Sequence, residues 1–275
     1  MALTLVSWNL KGSEGVDMPA VVDHIRAAAA DVVVLQEVQR HQARRIARSL
    51  GARSWHWGFK HWPIRTWPEG MAVIGVTRPA RLRTRAISRR WAPWSWRRRI
   101  LQIGSVDLDP GRVVTLVNVH LSPHQHETAI RKVEAALVIR LVAEQGRPAV
   151  IAGDFNDRPG ATIHGQFADG GLRDAWDDVH AVDAAPAAPE GTGRRPADAG
   201  ATNWRGWVPG TPRAPSQRLD YVLVSAELTP VSMSVPRHGQ RGFEQFATLS
   251  DHLPVTATLA GSGVTERNRG AAAGA

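Results

Sequence analysis

Short apolar runs alternate with segments of helical period along almost the whole chain, and this alternation limits the fold more than any other feature. Residues 2–8 (ALTLVSW) and Val32–Leu35 read as buried strands. Between them Pro19 opens a segment with Val21, Val22, Ile25, Ala28 and Ala29 at helical spacing. A second helix is expected over residues 39–50, stopped by Gly51, and a third over residues 127–144, stopped by Gly146. Further strands are expected at Gly70–Val76, Ile100–Leu108, Val113–Val119, Val150–Ala152, Leu219–Val224 and Val255–Leu259. Strands interleaved with helices from end to end predict one α/β domain over residues 1–260. Residues 181–200, rich in Ala, Pro and Gly, read as a surface loop within it, and residues 261–275 as a disordered tail. Residues 52–68 hold Trp55, Trp57, Trp62 and Trp67 with two prolines, and read as a long aromatic loop.

Several classes of protein are excluded. No apolar run approaches the roughly 18–20 residues needed to cross a bilayer. The chain has no cysteine, which removes disulfide scaffolds, thiol nucleophiles and Cys-type zinc sites. Met1 leads straight into the Leu3, Leu5, Trp8 alternation without a basic start and apolar leader, so a cytoplasmic location is expected, as is a monomer.

The formal net charge is +9, and only three of the 34 basic residues are lysines (Lys11, Lys60, Lys132). Nine arginines and no acid lie between Arg78 and Arg99, and seven of the eleven tryptophans lie between Trp55 and Trp96. A positive, aromatic surface of this kind suits nucleic acid, with Arg on phosphates and Trp on exposed bases; Trp204 and Trp207 could extend it. The same residues also fit a solvated basic face, with the tryptophans packed in the interior or against arginine stems.

Polar residues recur at the ends of the apolar runs. Asn9 and Glu37 end the first two strands, and His120 ends the strand at Val113–Val119. Asp154 and Asn156 follow Val150–Ala152, Asp220 opens the strand at Leu219–Val224, and Asp251-His252 precede Val255–Leu259. Taken singly, each is an ordinary turn, cap or structural residue. Together, six separate segments offer oxygen ligands of the type that hold Mg²⁺ or Mn²⁺, with two imidazoles that exchange protons near neutrality.

The strings SWNL (Ser7–Leu10), LQEV (Leu35–Val38), NVHL (Asn118–Leu121), GDFND (Gly153–Asp157), RLDYVLVS (Arg218–Ser225) and SDHLPV (Ser250–Val255) occur in this order. In them the chain resembles the endonuclease/exonuclease/phosphatase superfamily, which includes deoxyribonuclease I, from residue 4 to about residue 259. The resemblance implies a four-layered αββα sandwich with two packed mixed β-sheets and a divalent-metal phosphoesterase site at one edge. It implies Glu37 as the principal metal ligand, with Asn9 and Asp251 beside it. Asp154 and Asn156 are then expected to orient water and phosphate, and His252, held by Asp220, to act as acid or base. His120 is expected on the opposite side of the phosphorus, where the branch resembling exonuclease III carries Tyr. Glu69, just before the strand at Gly70–Val76, reads either as the residue that orients it or as an ordinary exposed loop acid. A nuclease acting on DNA or RNA is the expected activity. The other readings are a phosphatase or phosphodiesterase of a small-molecule or lipid head group, and a non-catalytic binding module on the same fold.

Overall fold

A computed structural model describes residues 2–62, 68–88, 95, 98–109, 111–180, 200–204, 214–240 and 242–262. Its strands are β1 (Ala2–Asn9), β2 (Val32–Gln39), β3 (Ser54–His61), β4 (Glu69–Gly75), β5 (Ala80–Ala86), β6 (Ile100–Asp109), β7 (Arg112–His120), β8 (Ala149–Asp154), β9 (Leu172–Asp174), β10 (Asp220–Ser225), β11 (Leu228–Ser234) and β12 (Val255–Gly261). The helices are α1 (Met18–Ala27), α2 (Arg40–Ser49), α3 (Thr128–Ala143), α4 (Thr162–Asp169), α5 (Ala175–His180) and α6 (Phe246–Leu249). Two six-stranded mixed sheets result, in the orders β11-β12-β1-β2-β4-β3 and β5-β6-β7-β8-β10-β9. With α1 and α2 packed on the first and α3 and α4 on the second, this is the four-layered sandwich of the deoxyribonuclease I-like fold.

Each sheet has one parallel pair at its centre, β1 with β2 and β7 with β8; the remaining neighbours run antiparallel. That polarity gathers the polar strand ends. Asn9, Glu37, His120 and Asp154 lie at or near the C-terminal ends of the four parallel strands. Glu69, Asp220 and Asp251-His252 lie at or just before the N-terminal ends of antiparallel neighbours. All of these ends fall on one edge of the sandwich.

The sheets are bonded to each other at their centre by buried amides. Gln36 donates to the Asn118 side-chain Oδ1 at 2.7 Å, and the Asn118 side-chain amide donates to the Leu35 carbonyl (3.1 Å), the Ala72 carbonyl (3.1 Å) and the Gln102 side chain (2.9 Å). These buried hydrogen bonds favour one relative placement of the sheets, which apolar contacts alone would leave less defined. At the helix starts, Asp17 caps α1 by accepting the Ala20 N–H, and the Gln42 side chain accepts the Gln39 N–H at the start of α2.

Several expectations need correction. Residues 54–61 form β3 rather than a loop: Trp55, Trp57 and Phe59 alternate with His56, Gly58 and Lys60, which is strand period, and the prolines at 63 and 68 lie beyond its end. Residues 80–86, read as part of a basic run, form the edge strand β5, with Arg81, Arg83 and Arg85 exposed between Leu82 and Thr84. The basic run is therefore not one face. Arg78 donates to the Ala2 carbonyl and Arg98 to the Phe59 and Lys60 carbonyls, while Arg99 is buried. Trp204 is buried against Phe243 and extends no surface. β12 includes Gly261, and Ser262 bonds the Glu227 carbonyl, so the chain is ordered past the expected start of the tail. The loop expected at 181–200 (Gly200 excepted), the remaining tail, and Trp67, Trp91, Trp94, Trp96 and Trp207 lie outside the described residues. Among the described residues no helix is long and apolar enough to cross a membrane.

Candidate active site

The two end motifs interlock first. The Trp8 indole N–H donates to the His252 carbonyl at 2.9 Å, and the Ser250 hydroxyl donates to the Asn9 carbonyl at 2.7 Å. The His252 N–H in turn bonds the Ser250 oxygen at 3.1 Å. These bonds hold the residues before β12 against the end of β1 and set Asn9 beside His252.

Asp154 is the centre of the site. It ends β8, pairs in register with His120 on one side and Asp220 on the other, and is 1 % exposed. Its Oδ2 accepts the Asn9 amide at 3.0 Å and its Oδ1 the Asn156 N–H at 2.9 Å. The Nε2 atoms of His120 and His252 both stand 3.7 Å from Oδ2. Gly153 makes this approach possible: its φ is +144°, and a Cβ there would meet the Val119 carbonyl oxygen at 2.0 Å. Burial, set against the attraction of His252, raises the Asp154 carboxyl to about 7.

The two histidines differ in charge. His252 Nδ1 bonds Asp220 Oδ2 at 2.7 Å, and although burial alone would lower it, Asp220 and Asp154 raise it to about 10. His120 moves the other way. Burial, then the neighbouring Lys60 and Arg99, hold it well below its ordinary value, so it is neutral near pH 7. Its Nδ1 faces the Lys60 ammonium at 3.3 Å, and Lys60 also donates to Glu69 at 2.8 Å. An ammonium can only donate, so Nδ1 accepts and the ring proton sits on Nε2, toward Glu37 (3.6 Å) and Asp154. Lys60 thus stands between Glu69 and His120, linking the two, and Glu69 is a buried residue rather than an exposed loop acid.

Glu37 lies in a break of the β2–β4 register between Leu35 and Val38, with φ +50°. Asn156 is also left-handed, at φ +52°. Non-glycine residues pay for this conformation, and such strain concentrates where a side chain must be aimed. The Glu37 side chain is 25 % exposed and accepts no hydrogen bond among the described residues; burial, Glu69 and Asp251 raise its pKa. Asp251 pairs with Lys11 at 3.2 Å, and the Asn9 side-chain Oδ1 accepts the Lys11 backbone N–H. A carboxylate pressed by other acids and lacking a donor, with amide and carboxylate oxygens beside it, fits a hard divalent cation. A second grouping, Asp154, Asp220 and His252, also brings ligand atoms within 4.8 Å of one another, but His252 Nδ1 is already engaged by Asp220.

All eight residues singled out from the sequence thus lie at this edge. Lys60, Thr202 and Asn203 were missed. The Thr202 hydroxyl oxygen accepts the N–H groups of Leu219 (3.1 Å) and Asp220 (3.2 Å), and the Asn203 amide donates to the Asp251 carbonyl (3.1 Å), so this strap positions two site carboxylates.

The model of the endonuclease/exonuclease/phosphatase family matches residues 6–252. No curated protein matches the chain. Among solved structures, an endonuclease/exonuclease/phosphatase from Beutenbergia cavernae is similar at 25 % identity and TM-score 0.69, over 95 % of this chain and 72 % of that one. The human Nocturnin catalytic domain, solved with a bound sulfate anion, is similar at 17 % identity and TM-score 0.70, over 95 % of each chain. A humanized D. rerio TDP2 is similar at 16 % identity and TM-score 0.64, over 94 % of this chain and 98 % of that one.

Proposed function

The chain belongs to the endonuclease/exonuclease/phosphatase family of phosphoester hydrolases, and on that premise we propose that it is a divalent-cation-dependent phosphodiesterase acting on DNA or RNA, with residues 2–262 as one catalytic unit. The observation that carries the reading is the buried Asp154 carboxylate, whose Oδ2 stands 3.7 Å from the Nε2 atoms of both His120 and His252. Glu37, with Asn9 and Asp251 beside it, would hold the cation, and Mg²⁺ or Mn²⁺ there would supply neutralisation of the charge that builds on the phosphate. Asp154, titrating near 7, takes the proton of the attacking water. Asn9 and Asn156 fix its two oxygens without adding negative charge. The His252 imidazolium, kept charged by Asp220, donates Nε2–H to a non-bridging phosphate oxygen. His120 donates its own Nε2–H from the other side as a neutral group, with its tautomer set by Lys60.

The purified chain is expected to cleave plasmid, single-stranded DNA or RNA, and bis-p-nitrophenyl phosphate with Mg²⁺ or Mn²⁺, and to stop when EDTA is added. Cleavage that persists in EDTA, or hydrolysis of phospholipid or phosphomonoester alone, would overturn the reading.

The two charge states also fix a pH profile. Asp154 must lose its proton to act, so activity falls as pH drops through about 7, or through a lower value when a cation shares the site. His252 must keep its proton, so activity falls again as pH rises through about 10. A bell with these limbs is expected in kcat/KM, and Asp220→Asn is expected to move the alkaline limb down. An alkaline limb unmoved by Asp220→Asn would contradict the assignment of His252.

A further inference from the structure

A groove of about 1150 Å³ runs beside the catalytic edge, between α2 and β3, and the assignments above do not use it. Arg40, Arg44 and Arg48 line one wall, four residues apart and so on one face of α2; all three are exposed. Trp55, Trp57 and Phe59 line the other, two residues apart and so on one face of β3. Trp62 and Pro68 line it beside Glu69, and Arg40 lies three residues past Glu37. The groove therefore opens at the catalytic edge and runs away from it.

The arginines do not serve the helix. α2 has no acid in its sequence and begins with arginine and histidine, the wrong sign for its N-terminal dipole. Like charges four residues apart repel as well. Among the described residues no carboxylate lines the groove, and Arg40, Arg44 and Arg48 make no ion pair. An unpaired cationic ladder facing an aromatic one matches a ligand that is anionic along one side and flat along the other.

The geometry points to a single-stranded nucleic acid as that ligand, its phosphates on the arginines and its bases against the aromatic rings, with the strand led from the groove into the catalytic edge; this deepens the phosphodiesterase reading and rests on it. The dimensions agree. Arg40 to Arg48 spans about 12 Å of helix and Trp55 to Phe59 about 13 Å of strand. At ~3.4 Å per nucleotide that accommodates about four stacked nucleotides. A membrane is the poorer match, because Trp57 and Phe59 line a concavity and only Trp55 (38 %) and Trp62 (57 %) are strongly exposed among these rings. A bilayer surface would meet rings that protrude.

The test is binding of fluorescein-labelled oligothymidylate to the full chain in EDTA, where cleavage is blocked, as a function of salt. Trp55→Ala is expected to weaken binding roughly tenfold. The double variant Arg44→Ala with Arg48→Ala is expected to lower the log–log salt slope by about 1.4, and the corresponding double lysine variant to restore it. Alanine favours an exposed helix position, so thermal unfolding should confirm that the double variant is folded. The inference is overturned if the wild type does not bind the oligonucleotide, or if either alanine variant binds it unchanged. It is also overturned if the substitutions abolish binding to phosphatidylserine vesicles while sparing the oligonucleotide. Diester turnover by the wild type is measured separately; if that fails while the groove still binds, the fault lies in the catalytic reading and not in the groove.

Discussion

Asp154→Asn is expected to lower kcat on bis-p-nitrophenyl phosphate by about 10²- to 10⁴-fold, the range for loss of a positioned acid–base group. The amide has nearly the shape of the carboxyl, so the effect is chemical. One oxygen remains to accept from either Asn9 or Asn156, whereas the carboxylate serves both. The variant should not be unstable for want of charge. Burial raises this carboxyl to about 7, so the folded state holds the proton more tightly than the unfolded chain does. Stability is therefore lost as the group ionises between the unfolded carboxyl range and about pH 7, and a neutral amide escapes that loss. At pH 8 the variant is expected to melt no lower than the wild type. A folded Asp154→Asn protein that turns over at near wild-type rate would remove the proton acceptor from the mechanism.

Lys60→Met is expected to damage both stability and turnover. Lys60 is 2 % exposed and Glu69 6 %, so the substitution leaves a carboxylate buried without its principal partner. Breaking such a pair from one side costs about 3–5 kcal/mol. It also removes the donor facing His120 Nδ1, and the ring is free to place its proton there and turn an acceptor toward the phosphate. Losing one pre-aimed donor typically lowers kcat by about 10²- to 10³-fold. The double variant Lys60→Met with Glu69→Leu separates the two effects, since removing both charges restores much of the stability and none of the tautomer control. Urea unfolding and kcat on the two proteins check this. Recovery of turnover in the double variant would show that Lys60 acts only by neutralising Glu69.

The sequence made the architecture legible because the strands of both sheet centres are apolar runs bounded by helical periods. The parallel pairs β1–β2 and β7–β8 are each joined through a helix-containing connection, which the alternation of Val21, Val22 and Ile25 and the segment at 127–144 announced. β3 and β5 were misread for one reason: both are edge strands whose outward positions carry Trp, His or Arg instead of the usual small polar residues. Lys60 escaped notice because it sits in that misread strand. A signal did exist, in the scarcity of lysine. Lys11 pairs with Asp251 and Lys60 with Glu69, so two of only three lysines stand at this edge. Thr202 and Asn203 carried no such mark. Their role depends on backbone groups brought near only by folding.

The pairing of β1 with β12 has a consequence for biosynthesis. β1 is made long before β12 but must wait for it, because β1 lies between β2 and β12 and the Asp251-His252 pair is delivered just before β12. A nascent polypeptide already exposing Glu37, His120 and Asp154 still lacks the imidazolium. The candidate site therefore stays incomplete until β12 emerges and docks on β1.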